Sequence, residues 1–113
     1  MRILGIDPGI ARCGWGVIEV QASKLKVQSY GCIETSSKEK PERRLLAVYG
    51  SIIKIIEKYK PDVIAIEELF FNTNAKTAFV VGQARGVIIL AGVLQKIPVF
   101  SYTPLQVKMA MTG

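Results

Sequence analysis

At 113 residues, half of them apolar and 21% charged, the chain has the profile of one soluble globular domain with a real core, which excludes a disordered segment. Lys and Arg number 15 against 9 acids, a formal net charge of +6; that suits a polyanionic partner, or else describes only a solvated basic surface. There is no histidine, which excludes Ser-His-Asp and Cys-His catalysis, HExxH zinc sites and an imidazole base.

In chain order, Arg2-Ile3-Leu4-Gly5-Ile6-Asp7 predicts a buried strand, closed by the turn residues Pro8-Gly9. Gly14 to Val20 predicts a second strand. Leu25 to Thr35 predicts a third, with Leu25, Val27, Tyr30 and Ile33 as its larger apolar members. Three strands on short loops imply an antiparallel meander. Pro41 is placed to open a helix, and apolar spacings of three and four from Arg43 to Tyr59 give it one broad buried face. Lys60-Pro61-Asp62 ends it. The continuous apolar run Val63-Ile64-Ala65-Ile66 is expected of a central strand covered on both faces, with Glu67-Glu68 at its end.

Residues 70–75 read as a loop, and Lys76 to Gln95 as a helix whose small residues, Gly86 and Gly92 among them, allow close packing on the sheet. Ile97 to Ser101 predicts an edge-compatible fifth strand, where Pro98 is tolerated. Thr103-Pro104 opens a helix through Met111. The order β-β-β-α-β-α-β-α implies one mixed sheet with helices on its faces.

Cys13 and Cys32 form no CxxC motif and read as two small buried hydrophobes in a reducing compartment. The apolar start is too short for a secretory signal, and the longest uncharged apolar run, Gly86 to Leu94, is far below the ~20 residues of a membrane span. A cytoplasmic protein without a membrane partner is the expectation.

All 9 acids fall within residues 1–68, while residues 69–113 hold Lys76, Arg85, Lys96 and Lys108 and no acid. Carboxylate chemistry must therefore come from the first part of the chain. Asp7 and Glu67 each terminate an apolar strand. If those strands are parallel neighbours, both carboxylates emerge at one sheet edge, the edge where ligands bind in open α/β sheets. Two hard oxygen ligands there suit Mg²⁺ or Mn²⁺, which bind through few carboxylates plus waters and substrate phosphate. Taken singly, either acid could be a turn or helix cap. Glu68, adjacent in the strand, is expected to face away and to pair with a lysine. Arg85 reads as a helix–sheet packing residue with a snorkelling head, Trp15 as core or an interface anchor, and Lys96 as a helix-end cation.

Gly5-Ile6-Asp7-Pro8-Gly9 alone is compatible with ribonuclease H-like nucleases and with the sugar-kinase, Hsp70 and actin group. Longer segments separate the two: Ile3 to Gly9, Gly14-Trp15-Gly16, Pro61-Asp62-Val63 with Ala65-Ile66-Glu67-Glu68, Gly82-Gln83-Ala84-Arg85-Gly86, and Gln106-Val107-Lys108. In that order and spacing they resemble the RuvC family of Holliday-junction resolvases over the whole chain.

The resemblance implies an α/β, ribonuclease H-like fold with a five-stranded mixed sheet flanked by helices, here a single domain over residues 1–113. It implies a nuclease resolving four-way junctions in recombination and repair by two-metal phosphodiester hydrolysis. Asp7 and Glu67 match two of the family's four metal-binding acids. Phe70 matches an aromatic expected to stack on unpaired bases, Lys108 a basic residue near the scissile phosphate, and Lys76 is a further candidate DNA contact. A homodimer and a branch-migration motor are the implied partners. The family continues to a final helix carrying its other two acids; no acid here follows Glu68. A truncated chain that binds junctions but cleaves poorly is therefore expected. The alternatives are a non-catalytic junction-binding module and an ATP-binding module of the sugar-kinase and Hsp70 group, which would need a second phosphate loop.

Overall fold

The computed structural model describes residues 1–68 and 75–102. Five strands and two helices follow in the order β1 (Arg2–Asp7), β2 (Arg12–Gln21), β3 (Lys24–Glu34), α1 (Pro41–Tyr59), β4 (Val63–Glu67), α2 (Ala75–Leu94) and β5 (Val99–Tyr102). The expected helix from Thr103 to Met111 lies outside the described residues, as does the expected loop apart from residue 75, which opens α2.

One sheet holds all five strands in the order β3-β2-β1-β4-β5. The meander β1–β2–β3 is antiparallel, and β1–β4 and β4–β5 are parallel. The chain passes from β3 to β4 through α1, and the parallel neighbours β4 and β5 are joined by a crossover through α2. Pro98 precedes the edge strand β5, and its carbonyl accepts from Ile64 N–H at 2.9 Å.

Both described helices pack on one sheet face. The core joins Leu4, Ile6, Cys13, Val17, Ile33, Ile64 and Ile66 from the strands to Val48, Ile52, Ile55, Ile56, Ile88 and Ala91 from the helices. The pairings Leu4↔Ile64 and Ile6↔Ile66 put the fully buried residues of β1 and β4 side by side. This corrects the expectation that β4 is covered on both faces. Ile64 and Ile66 are buried, whereas Val63, Ala65 and Glu67 are only partly so. An unbroken apolar run does not distinguish the two situations, because Ala65 is small enough to sit on a thinly covered face.

Pro41 occupies the first turn of α1, and the helix ends on Lys60 in the left-handed region (φ 49°), whose N–H donates to Ile56 O at 2.8 Å. The chain then turns into β4 under a reciprocal lock: Asp62 N–H donates to Arg2 O at 2.8 Å, and Arg2 N–H to Asp62 Oδ2 at 2.8 Å. The Arg2 guanidinium also donates to Tyr59 O and stands 3.4 Å from Glu19 Oε2. Trp15 lies over Gly31 and tilts against Tyr59 at 5.8 Å between centroids.

Of the large apolar residues of β3 only Ile33 is buried; Leu25, Val27 and Tyr30 are exposed. Cys13 is buried but Cys32 is exposed, correcting the reading of two buried thiols. Cys32 pairs with Gly14, whereas Cys13 pairs with Ile33 one residue on, so strand alternation sends the two thiols to opposite faces.

Among the described residues α2 is the one helix long and apolar enough, by length and composition, to cross a membrane. The short uncharged run Gly86–Leu94 understates this because Arg85 interrupts the stretch. Its buried residues, Ala84, Ile88, Ala91 and Gly92, face inward, the use a core helix makes of such a stripe.

The α2 glycines divide. A Cβ on Gly92 would come within 2.6 Å of Val99 Cγ2 and 3.1 Å of Ile64 Cδ1, so this glycine does permit close packing. Gly86 has nothing within 4 Å and serves no such purpose. Gly92→Val is therefore expected to destabilise by about 1–3 kcal/mol through overpacking. Gly86→Ala is expected to gain up to about 1 kcal/mol of helix propensity. Urea unfolding midpoints at unchanged m-value measure both.

Candidate active site

The ends of β1 and β4 form the centre of the site. Their pairing runs Ile3↔Val63 to Ile6↔Ile66, so the next residues on each strand, Asp7 and Glu67, fall side by side. Asp7 pairs with Gly14 of β2, Gly14 with Cys32 of β3, and Glu67 with Tyr102 of β5. One lateral row thus crosses all five strands: Cys32, Gly14, Asp7, Glu67, Tyr102. Because successive side chains alternate, this row projects from the face opposite the helices. A Cβ on Gly14 would reach Asp7 Cβ at only 3.9 Å, ordinary contact, so the glycine leaves room beside the acid without being sterically forced.

Asp7 is exposed and Glu67 half-buried. Burial, then a hydrogen bond with Asp7, then the Asp7 charge push the Glu67 carboxyl above its ordinary range. A like charge beside a carboxyl disfavours its ionised form, which is the direction Glu67 takes. The Tyr102 phenol, the register partner of Glu67, is likewise raised, first by burial and then by the charges of Glu67 and Asp7. Burial pushes the Cys13 thiol up to about 11, so it is neutral at physiological pH and no nucleophile.

The donor set fits a hard divalent cation. Asp7 and Glu67 supply two adjacent anionic oxygens, and a cation between them relieves the repulsion that raises Glu67. No group of three or more ligating side chains occurs among the described residues. The remaining positions on an ion would fall to water and to phosphate, the usual situation for Mg²⁺.

Lys76 is exposed in the first turn of α2, a turn without acids, and has no ion pair among the described residues. It lines a cleft of about 560 Å³ with the turn Pro8 to Arg12. It therefore stands near the sheet edge of the acids, while Phe70 and Lys108 lie outside the described residues. Glu68 is exposed and forms no ion pair among the described residues, so the expected lysine partner is not among them; its N–H donates to Tyr102 O at 2.7 Å. Arg85 donates to Ser101 Oγ, tying α2 to β5. Tyr102 is the member of the row that sequence reasoning does not find. Its only signal is a hydroxylated aromatic at the end of an apolar strand.

The acid pair has a measurable cost. A carboxyl with a raised pKa holds its proton more tightly folded than unfolded. Its contribution is therefore fully present below the unfolded carboxyl range and is lost as pH rises through the folded value. Without a cation, Asp7→Asn is expected to raise the melting midpoint at neutral pH and to flatten this decline. Added Mg²⁺ or Mn²⁺ should raise the midpoint of the unaltered chain and leave that of the variant in place. Melting curves across pH, with and without cation, check both.

The profile of one family, Crossover junction endodeoxyribonuclease RuvC, matches residues 3–113. The RuvC protein of Caldicellulosiruptor saccharolyticus is 55% identical over 114 residues, covering 100% of this chain and 69% of that protein. The RuvC of Alkaliphilus metalliredigens is 51% identical over 113 residues, with the same two coverages, 100% and 69%. Among solved structures, Thermus thermophilus RuvC in complex with a Holliday junction substrate superposes with a TM-score of 0.91 at 31% identity, covering 100% of this chain and 71% of that one. The yeast mitochondrial Holliday junction resolvase shares the fold at a TM-score of 0.74 and 17% identity. The five-stranded mixed sheet is the ribonuclease H-like fold, and the chain belongs to the RuvC family of crossover junction endodeoxyribonucleases.

Proposed function

We propose that the chain is the larger part of an endonuclease that resolves four-way (Holliday) junctions in recombination and repair, acting in the cytoplasm with Mg²⁺, or Mn²⁺ in its place. The observation that carries this reading is the placement of Asp7 beside Glu67 at one sheet edge in a member of the RuvC family. The Thermus relative bound to a junction supports the substrate class.

Asp7 and Glu67 would hold the cation, which would supply the positive charge that polarises the phosphodiester and acidifies water. The protein's own part is positioning. The core around Ile6 and Ile66 fixes where the carboxylates stand. Lys76 and, outside the described residues, Lys108 contribute phosphate contacts. Phe70 stacks on a base opened at the junction centre.

A homodimer fits the surface. Leu46 on α1 and Phe79, Leu90, Val93 and Leu94 on α2 are exposed, and Leu45, Leu46, Tyr49, Val87, Leu90 and Leu94 line a groove between the helices. Patches of this kind on soluble proteins mark interfaces. A second copy there would present two sites to the two symmetric strands of a junction. A branch-migration motor is the further partner the family likeness implies.

The chain spans 69% of its Caldicellulosiruptor relative, and no acid follows Glu68. Two carboxylates alone would hold a divalent ion more weakly than four.

The 113-residue chain is expected to prefer a four-way junction over duplex of the same sequence, with affinity falling steeply as salt rises. Gel-shift titrations at matched ionic strength measure this; equal affinity for both would exclude the resolvase reading. The same chain should nick very slowly, whereas a chain extended over the family's full length should nick in Mg²⁺ and lose that activity on Asp7→Asn while keeping its affinity. Rapid nicking by the short chain would show that two acids suffice. Phe70→Ala should weaken junction binding by about 1–3 kcal/mol with an unchanged melting midpoint, the worth of one base–aromatic stack.

A further inference from the structure

The row of side chains at the acids has a third polar member that the proposed chemistry leaves unused. Tyr102 ends β5 and pairs in register with Glu67, so in this parallel ladder both project from the same face. Its position is held from two directions. Glu68 N–H donates to Tyr102 O at 2.7 Å on the β4 side. On the helix side, Arg85 of α2 donates to Ser101 Oγ, fixing the residue immediately before it. The side chain is partly buried.

Donor and acceptor chemistry then narrows what it does. Carboxylates accept hydrogen bonds and phosphate oxygens also only accept, so two acids and a phosphodiester offer no donor to one another. Across the row, Gly14 contributes no side-chain donor and Cys32 only a weak one. A lysine in this place would pair with the acids and compete with a cation for them. A phenol carries no positive charge, so it does neither and still donates. We propose that Tyr102 is a substrate-contacting residue of the nuclease site, its O–H donating to a non-bridging oxygen of the scissile phosphodiester. This rests on the junction-nuclease reading above.

Two experiments test it. The first replaces one non-bridging oxygen of the scissile phosphate by sulfur, in each diastereomer, and compares nicking by the chain extended over the family's full length with that of its Tyr102→Phe variant. The variant is expected to nick natural junctions roughly a hundredfold to a thousandfold more slowly, as removal of a preorganised donor does. Its junction affinity and melting midpoint should be unchanged. One diastereomer should lose the extra slowing it suffers with the unaltered protein, and the other should keep it, a pattern that a general loosening of the fold does not produce.

The second needs no turnover. Tb³⁺ bound to the 113-residue chain should show tyrosine-sensitised emission that Tyr102→Phe removes for the most part and Tyr59→Phe leaves. Undiminished emission in Tyr102→Phe places the phenol away from the acids and overturns the proposal. So does an unchanged nicking rate with both sulfur effects intact. An extended chain that nicks no junction fails differently: it removes the nuclease reading and this proposal with it, while the Tb³⁺ result still reports where Tyr102 stands.

Discussion

The parallel pairing of β1 with β4 is the constraint on which the rest of the molecule depends. At its start it is locked by the reciprocal hydrogen bonds of Arg2 and Asp62, both at 2.8 Å. At its far end it delivers Asp7 and Glu67 as neighbours, with Ile6 and Ile66 fully buried beneath them. Strand side chains repeat every two residues, so a slip of one position would turn the whole set over. Isoleucines would then meet water and the carboxylates the core. The hydrophobic cost of that exchange is what keeps the two acids together against their own repulsion.

This arrangement sets stability against chemistry in one place. Burial and the adjacent Asp7 hold the Glu67 carboxyl above its ordinary range, and a chain selected for folding alone would hold an amide there. The tension suits a cation site, since binding relieves it. The remaining charge complements this. The chain carries a net +6, its acids lie within residues 1–68, and the part that follows is purely basic. On the proposed reading a DNA strand would be attracted as a whole, while its phosphate would meet anionic ligands that a cation reconciles with it.

Much of this was legible in the residues. Asp7 and Glu67 stand out because each terminates an apolar run, and the element order leaves few topologies that place both strands in one sheet. The edge position of β5 was readable from Pro98. What could not be read depends on register and coverage, which local sequence does not encode. Tyr102 meets Glu67 only because the crossover through α2 sets where β5 begins, and no motif reports that. Cys32 differs from Cys13 in exposure through alternation alone. The run Val63 to Ile66 looks equally apolar whether one face or two are covered. The helical glycines show the same limit, since Gly92 and Gly86 are identical residues in one helix and only the approach of Val99 separates them.

The claim that Asp7 and Glu67 act as one cation site is tested most directly by a double-mutant cycle on Mn²⁺ affinity, read by electron paramagnetic resonance for the unaltered chain, Asp7→Asn, Glu67→Gln and the pair. Residues acting as a unit give strongly non-additive losses. We expect either single substitution to remove most of the affinity and the double to remove little more. Two small, additive losses, or Mn²⁺ binding that survives the double substitution, would contradict it.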